Sequence, residues 1–325
     1  MANKKTNLWQ KYKEYRHKQK QKEEEAQKSM TTTDVIISWF KLLGSALIIV
    51  MMLHSLLIAS FIVPTGSMEN TVMTGDFLLV NKIFGPSTPQ IIPFFNIPLP
   101  YIILPSPCDP KKGDVIVFVF PGMRDEVHSK EFQYYLKRCV AEPGDTLQLI
   151  NNELYVNGEH QPLPPDGRLE DIGRSKEDLM NSYSTDEIYQ TFPIGKNYTH
   201  DNYGPIRIPK KGDTIFLNNK LDIIQNQILI EREGHTVNYT TESILIDDEK
   251  TNFYVVEQDY YFGMGDNRDR SSDSRYWGFI PRKAILGSPI ICWLSWEMHD
   301  EYNRERNIFQ KITNIRWNRI GKLIN

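Results

Sequence analysis

Cysteine is scarce in this sequence, and no cysteine stands in a metal-binding spacing. The three cysteines are Cys108, Cys139 and Cys292, so at most one disulfide can form within the chain. Small buried hydrophobes are the alternative for all three, since free cysteine is among the most buried residue types. The sequence therefore predicts no metal site, and no cofactor is expected.

The sequence also lacks a Gly-x-Ser-x-Gly segment, and its histidines lack a motif. The first absence argues against the strand-turn-helix elbow of the α/β-hydrolases. His17 and His54 lie before residue 64. The other five histidines fall in polar, loop-like segments: His128, His160, His200, His235 and His299. A serine activated by histidine is therefore not favoured, and replacing any one histidine by alanine is expected to leave catalysis largely intact.

Charge is absent from residues 42–63, LLGSALIIVMMLHSLLIASFIV. As a helix this run would extend roughly 33 Å, enough to cross the hydrocarbon of a bilayer. Residues 1–33 carry nine Lys/Arg against four Glu, although the whole chain has a net charge of −3. The positive-inside rule then predicts a cytoplasmic basic tail and an extracytoplasmic body after Val63. A cleaved secretory signal is the alternative, but the apolar run is too long for one.

Long helical periodicity is missing after Val63, apart from parts of residues 168–190. Four Gly-Asp pairs instead precede apolar, β-rich runs, beginning at Gly75, Gly113, Gly144 and Gly212. The runs NELYV, QILIER, ESILID and FYVVE also resemble strands. The sequence therefore predicts a mainly β protein preceded by one transmembrane helix. The predicted segments are a basic tail (1–34), an anchor (35–63), a core (64–148 and 257–325) and an inserted β-rich lobe (149–256).

Residues 83–108 differ from the rest of the body in having no charge and seven prolines. Such a segment can be neither a helix nor a central strand. Two interpretations stay open: a loop packed on the core, and an apolar surface that enters the lipid beside the anchor.

Ser67 directly follows the apolar run, in FIVPTGSMENTV, and is either a turn serine or a nucleophile. A lysine becomes a proton acceptor only where burial removes its charge. In FQYYLKRCVAEPGD, strand alternation places Lys137 on the same face as Tyr135 and Cys139, with Arg138 on the other face. Lys137 is therefore a candidate base, although a strand lysine by itself is more often a solvated edge residue.

A polar loop, GMGDNRDRSSDSRYWGF at residues 263–279, holds the remaining candidates. So many hydrogen-bonding side chains can simply satisfy their own turns. Asp273 and Arg275 can equally form a bidentate ion pair that braces a site, with Ser271 available to orient another side chain.

Five segments in this order resemble the type I signal peptidases of bacteria. They are PTGSM (64–68), GDFLLVNK (75–82), KKGDVIVF (111–118), YLKRCVAEPGD (135–145) and GDNRDRSSDSRYWG (265–278). The resemblance covers the anchor and the core but says little about the lobe or the tail. It implies an antiparallel β fold. It also implies a membrane serine endopeptidase that cleaves signal peptides from exported preproteins after small residues, in an Ala-x-Ala-like pattern.

The resemblance also assigns roles to residues. It implies Ser67 as nucleophile, Lys137 as general base, and Ser271 with the Asp273–Arg275 pair as support. The oxyanion would be met by the Ser67 backbone N–H and the Thr65 hydroxyl, where the family often has serine. The pocket for small side chains would be lined by Phe61, Val63, Pro64, Met68, Val72, Tyr135 and Leu136.

The implied partners are signal peptides and the lipid bilayer, with no nucleic acid. The implied location is the bacterial cytoplasmic membrane, with a single pass. Two alternatives remain: another Ser/Lys protease of the same fold, such as a self-cleaving repressor, and an inactive membrane-anchored binding protein. A repressor would need a DNA-binding helical domain in place of the anchor.

Overall fold

The fold was analysed in a computed structural model, which describes Trp9 and residues 12–20, 31–88, 91–92, 97–169, 191–239, 244–297 and 314–324. The chain divides into two compact units, Met1–Leu53 and His54–Asn325. Residues 12–20 are helical, and the first long helix, α1, spans Thr32–Leu56. Among the described residues, α1 alone is long and apolar enough to cross a membrane.

The second unit is mainly β, as predicted. Its strands, in chain order, are β1 (Ile58–Ile62), β2 (Asp76–Asn81), β3 (Ile91–Ile92), β4 (Ile97–Pro98), β5 (Val115–Val119), β6 (Tyr134–Ala141), β7 (Thr146–Ile150), β8 (Glu153–Val156), β9 (Glu159–Gln161), β10 (Tyr203–Arg207), β11 (Thr214–Phe216), β12 (Val237–Tyr239), β13 (Ile244–Ile246), β14 (Glu249–Lys250), β15 (Phe253–Val255), β16 (Tyr260–Met264), β17 (Ile280–Pro281) and β18 (Ile285–Ser295). The helices are α2 (Lys220–Arg232) and α3 (Ser274–Trp277), with short 3₁₀ turns at Arg268–Arg270, Arg282–Ala284 and Trp317–Arg319.

A seven-stranded antiparallel sheet in the order β1-β2-β18-β5-β6-β16-β17 forms the main body. The smaller sheets are β10-β7-β8-β9, β12-β13-β14, β11-β15 and β3-β4. The predicted Gly-Asp turns are present, because the four glycines have φ between 87° and 100° and a strand follows each one. Such positive φ values suit glycine, which has no Cβ to clash with the backbone.

The end of the predicted anchor differs in the structure. The helix ends at Leu56, and Ile58–Ile62 form an edge strand that pairs with β2, with Phe61 opposite Leu78. The segment IASFI contains two β-branched isoleucines and a phenylalanine, residue types that favour strands, and its backbone groups pair with those of β2. An uncharged run cannot by itself show where a helix gives way to such a strand.

The predicted lobe contains a helix that the sequence interpretation missed. QILIER, taken for a strand, lies in α2, where the Asn219 side chain accepts a hydrogen bond from the Asp222 backbone N–H at 3.0 Å and caps the helix. Short apolar runs of this kind do not separate helix from strand by periodicity. The runs NELYV and FYVVE do contain strands, as predicted.

The hydrophobic core joins the lobe to the main sheet. One cluster of buried residues includes Leu149 and Leu154 from the lobe together with Phe262 and Met264 from β16. The lobe therefore packs on β16, the strand that leads into the polar loop at residue 265. The cysteines are free thiols, with Cys139 and Cys292 fully buried and Cys108 partly buried, which agrees with the buried-hydrophobe alternative.

Within the proline-rich segment, Phe84 packs in the core while Ile97 and Ile102 are exposed. Phe94 and Phe95 in the middle of the segment lie outside the described residues. Both interpretations of this segment therefore stay predictions.

Candidate active site

The loop between β1 and β2 presents Ser67 at the end of the main sheet. The Val63 N–H donates to the Asp76 carbonyl at 2.9 Å and the Gly75 N–H donates to the Val63 carbonyl at 2.8 Å, which closes the base of the loop. At the tip, the Ser67 carbonyl accepts from the Asn267 N–H at 3.1 Å. The half-exposed loop is therefore fixed both at its base and at the Ser67 carbonyl.

Lys137 reaches Ser67 from the neighbouring region of the sheet. It lies on β6, which is flanked by β5 and β16, and its Nζ is 2.8 Å from the Ser67 Oγ. The lysine is only 4% exposed. Burial chiefly lowers the pKa of Lys137, from an ordinary 10.5 to about 8, although the Asp273 carboxylate opposes that shift. The pKa of Lys137 thus lies about one unit above neutral pH, so part of the lysine is already neutral there.

Arg138 points to the opposite face, as alternation predicts, but it is not solvated there. Its guanidinium forms a bidentate pair with Asp266, at 2.8 and 2.7 Å, and donates to the Gly113 carbonyl at 2.6 Å. The Thr71 hydroxyl also donates to Asp266, at 2.6 Å. The sequence interpretation missed Asp266, which ties β6 and the Ser67 loop to the polar loop.

Asp273 and Arg275 form the predicted ion pair, and both are fully buried. The Arg275 Nε is 2.9 Å from one Asp273 carboxylate oxygen and an Nη is 2.8 Å from the other. Burial alone would raise the pKa of Asp273, but the guanidinium outweighs it and holds that pKa below its ordinary value. Asp273 also accepts from the Gly265 N–H at 3.2 Å, so the pair fixes the start of the polar loop.

Ser271 lies against the same glycine. A Cβ added to Gly265 would come within 2.2 Å of the Ser271 Oγ and 2.5 Å of the Ser67 carbonyl oxygen, so only glycine allows this approach. The Ser271 hydroxyl is buried and makes no hydrogen bond to any part of the chain that the structure describes. The role expected for Ser271, holding the lysine, therefore stays a prediction.

A cleft of about 900 Å³ passes over the Ser67–Lys137 pair. It is lined by predicted pocket residues together with residues that the sequence interpretation missed. The predicted ones are Phe61, Val63, Pro64, Met68, Tyr135 and Leu136, and the predicted oxyanion residue Thr65 lines the cleft as well. The missed ones include Leu78, Val117 and Tyr134. No local motif marks these three, because they reach the cleft only through strand pairing.

Val72 differs from its predicted position, since it lies in the core instead of on the cleft wall. The Val72 N–H donates to the Met68 carbonyl at 2.8 Å, and this turn directs the side chain inward, where it is fully buried. It packs in the same cluster as Val63 and Met68 and supports the wall from beneath.

The C-terminal residues brace the serine loop. Arg319 pairs with the fully buried Asp76, and its Nη donates to the Thr71 carbonyl at 3.2 Å. Asp76 also accepts from the Ser295 hydroxyl at 2.7 Å. One buried carboxylate therefore anchors the C-terminal part of the loop, a feature that no motif in the sequence indicated.

Comparison with known proteins places these features in a family. The sequence profile of the family described as signal peptidase, peptidase S26, matches residues 36–296. The signal peptidase I of Helicobacter pylori is 29% identical over 86% of this chain and 89% of its own length. That of Aquifex aeolicus is 26% identical over 84% of this chain and 93% of its own length.

A solved structure of a signal peptidase I from Enterococcus faecalis also aligns with the chain. It is 20% identical and covers 56% of this chain and 97% of its own, with a TM-score of 0.26. The profile match over most of the chain confirms the resemblance drawn from the five sequence segments. The chain therefore belongs to the signal peptidase family, peptidase S26, whose members are serine peptidases.

Proposed function

We propose that this chain cleaves signal peptides from exported preproteins, with Ser67 as the nucleophile and Lys137 as the general base. The observation that carries the proposal is the 2.8 Å contact between the Lys137 Nζ and the Ser67 Oγ inside the cleft. A nucleophile and its base within hydrogen-bond reach are what acyl transfer requires. Burial of Lys137 supplies the other requirement, a neutral amine near physiological pH.

In the proposed first step, neutral Lys137 accepts the Ser67 proton while the Oγ bonds to the scissile carbonyl carbon. The carbonyl electrons move onto its oxygen, which receives hydrogen bonds from the Ser67 N–H and the Thr65 hydroxyl. Collapse of this intermediate breaks the C–N bond, and the lysine ammonium returns its proton to the leaving amine. Water then attacks the ester while Lys137 accepts a water proton; the second intermediate collapses, the acyl C–O bond to Ser67 breaks, the lysine returns the proton to the Ser67 Oγ, and the carboxylic acid product leaves.

Histidine catalysis has little support from the contacts of the described histidines. His160 pairs with Glu153, and His235 pairs with Asp247 and Glu257. These two imidazoles are held by carboxylates, and neither of them lines the cleft over Ser67. Lys137 is therefore the base that we propose.

The preference for small residues follows from the cleft walls. Phe61 and Tyr134 pack edge to face with ring centroids 4.8 Å apart, and Leu136 packs against the core cluster behind them. Rings and branched side chains packed in this way resist displacement, because interiors near crystal density have few alternative arrangements. We expect these walls to admit alanine-sized side chains and to reject larger ones.

The membrane topology is part of the proposal. The helix α1 anchors the chain, with its basic tail in the cytoplasm and the His54–Asn325 unit outside, as the Lys/Arg excess in residues 1–33 favours. A signal peptide is itself held in the bilayer, so an anchored peptidase meets its substrate at a raised effective concentration.

The test is cleavage of a preprotein with an Ala-x-Ala site by the full chain in detergent micelles, with the new N-terminus read by mass spectrometry. Ser67→Ala is expected to lower the rate by on the order of 10⁶, as for a lost nucleophile. Ser272→Ala, at an exposed serine of the same cleft, is the matched control and is expected to cleave normally. Equal cleavage by Ser67→Ala, or no cleavage by the wild type, would refute the proposal.

A further inference from the structure

His200 connects the inserted lobe to the buried ion pair behind the candidate site. It lies in the loop before β10 and is 9% exposed. Its Nε2 is 2.9 Å from an Nη of Arg275, and its Nδ1 is 2.7 Å from the Tyr276 hydroxyl. The His200 carbonyl oxygen also accepts from the same Nη of Arg275, at 3.3 Å. One lobe residue thus contacts Arg275 twice.

These contacts specify the protonation of the imidazole. A guanidinium has only donors, so the His200 Nε2 must be the acceptor in its contact with Arg275. The ring is then neutral, and its proton is on Nδ1, from where it is donated to the Tyr276 hydroxyl. A protonated ring would instead direct an N–H at a guanidinium only 2.9 Å away.

The Arg275 guanidinium transmits this contact toward Ser67. Its other nitrogens bind Asp273, and one of them also donates to the Arg268 carbonyl at 2.7 Å. Asp273 in turn accepts from the Gly265 N–H, and Gly265 lies against the Ser67 carbonyl. A continuous series of contacts therefore runs from His200 through the buried Arg275 and Asp273 to Gly265, which lies against the Ser67 carbonyl.

The charged groups around His200 explain why its ring state matters. Asp269 faces the ring from the 3₁₀ turn, with a carboxylate oxygen 3.4 Å from Nε2, and Asp201 is its chain neighbour. Asp273 binds the same Arg275 guanidinium, at 2.9 and 2.8 Å. If the ring gained a proton, its Nε2–H would pair with Asp269, and Arg275 would lose an acceptor.

A bound cation is the competing explanation for this cluster. Ligand atoms of His200, Asp201 and Asp269 lie within 4.8 Å of one another. The lone pair that a metal would need is the one already directed at Arg275, however, and a permanent cation 2.9 Å from it opposes a second one. The contacts therefore favour the guanidinium as the occupant.

We propose that neutral His200 is a positioning residue, which holds Arg275 against Asp273 and thereby sets the environment of Lys137. The proposal rests on the proposed function for its kinetic test. The inserted lobe then has a role in catalysis, because it supplies the acceptor for Arg275 that the polar loop does not contain.

The role has an electrostatic signature that a purely structural role lacks. Burial is the main cause of the lowered pKa of Lys137, Asp273 raises that pKa, and Arg275 lowers it. Displacement of Arg275 would leave Asp273 less neutralised, so the pKa of Lys137 would rise. The acid limb of the pH profile, over which activity rises as Lys137 loses its proton, would then move to higher pH.

The experiment compares His200→Gln, His200→Asn and His200→Ala in the full chain in micelles. The glutamine amide oxygen reaches about as far as Nε2, whereas the asparagine oxygen reaches only about as far as Nδ1. Loss of a buried hydrogen bond to a charged group typically corresponds to roughly tenfold to hundredfold in rate. We expect that loss in kcat, with little change in KM, for the Asn and Ala variants, together with an alkaline shift of the acid limb. His200→Gln is expected to stay within a fewfold of wild type.

Equal behaviour of the Gln and Asn variants would overturn the proposal. An activity loss that matches a loss of folded protein, with an unmoved acid limb, would overturn it too, because His200 would then be only structural. Cleavage by the wild type that Ser67→Ala abolishes tests the proposed function separately.

A second readout does not depend on activity. Nitrogen-15 NMR of labelled histidine in Ser67→Ala protein, with His200→Gln for assignment, reports the ring state directly. The proposal expects a neutral ring with the proton on Nδ1 at pH 7, unchanged by a chelator or by added zinc. A proton on Nε2, a charged ring, or a zinc-dependent shift would contradict it.

Discussion

Replacement of Lys137 by methionine is expected to stabilise the fold at neutral pH while abolishing catalysis. Methionine has a similar volume and no charge to bury. Each unit of pKa corresponds to about 1.4 kcal/mol, so lowering the pKa of Lys137 from 10.5 to about 8 implies that burial of the ammonium costs about 3 kcal/mol. The lost hydrogen bond to Ser67 offsets about 1 kcal/mol of this. The variant should therefore gain about 2 kcal/mol at pH 7.

The sign of this difference changes with pH. Between pH 8 and 10.5 the unfolded chain still holds the lysine proton and the folded chain does not, so wild-type stability rises relative to the variant. Above pH 10.5 the lysine is neutral in both states, so burying it no longer costs the energy of burying a charge. Wild type should then be the more stable by about 1 kcal/mol, the contribution of the hydrogen bond between Lys137 and Ser67.

The assay is denaturant unfolding of the full chain in micelles, followed by tryptophan fluorescence from pH 6 to 11. Lys112→Met, at an exposed lysine, is the control and is expected to change the free energy of unfolding by less than about 0.5 kcal/mol. A Lys137→Met protein that is no more stable than wild type at pH 7, or a difference that does not change with pH, would refute a buried lysine with a strongly lowered pKa.

Three further substitutions test the support of the site. Asp76→Asn leaves buried arginine uncompensated and should cost about 3–5 kcal/mol in unfolding measurements, whereas Asp213→Asn, in a more exposed pair, should cost less than about 1 kcal/mol. Gly265→Ala should abolish cleavage in a folded protein, because its Cβ would overlap Ser271; wild-type rates would contradict the close packing seen there. Arg138→Lys, which cannot form the bidentate pair, should lose about 1–3 kcal/mol of stability, and an unchanged melting temperature would show that the pair contributes little.

Local rules predicted the sheet and the two faces of the Lys137 strand, whereas the pairing of Ser67 with Lys137 came from the family resemblance. Gly-Asp turns marked the starts of strands, and alternation along residues 134–141 put Lys137 and Arg138 on opposite faces. The partner of Arg138 was not predictable in this way, because Asp266 is 128 residues away in the sequence.

The remaining features depend on long-range contacts that no local pattern reveals. His200 contacts Arg275 across 75 residues, and Arg319 contacts Asp76 across 243. The expectation that every histidine is dispensable came from the absence of nearby motifs, and His200 is now proposed as the exception. The end of α1 was misplaced for a similar reason, since only pairing with β2 reveals the strand that follows it.

The central claim is that neutral Lys137 accepts the Ser67 proton, and the most direct test is cleavage rate against pH for wild type and Lys137→Arg. Wild-type kcat/KM should rise with pH through a midpoint of about 8, as the lysine loses its proton. Folded Lys137→Arg should be as inactive as Ser67→Ala at every pH, because a guanidinium keeps its proton. Substantial turnover by Lys137→Arg would show that the site needs the positive charge and not a proton acceptor.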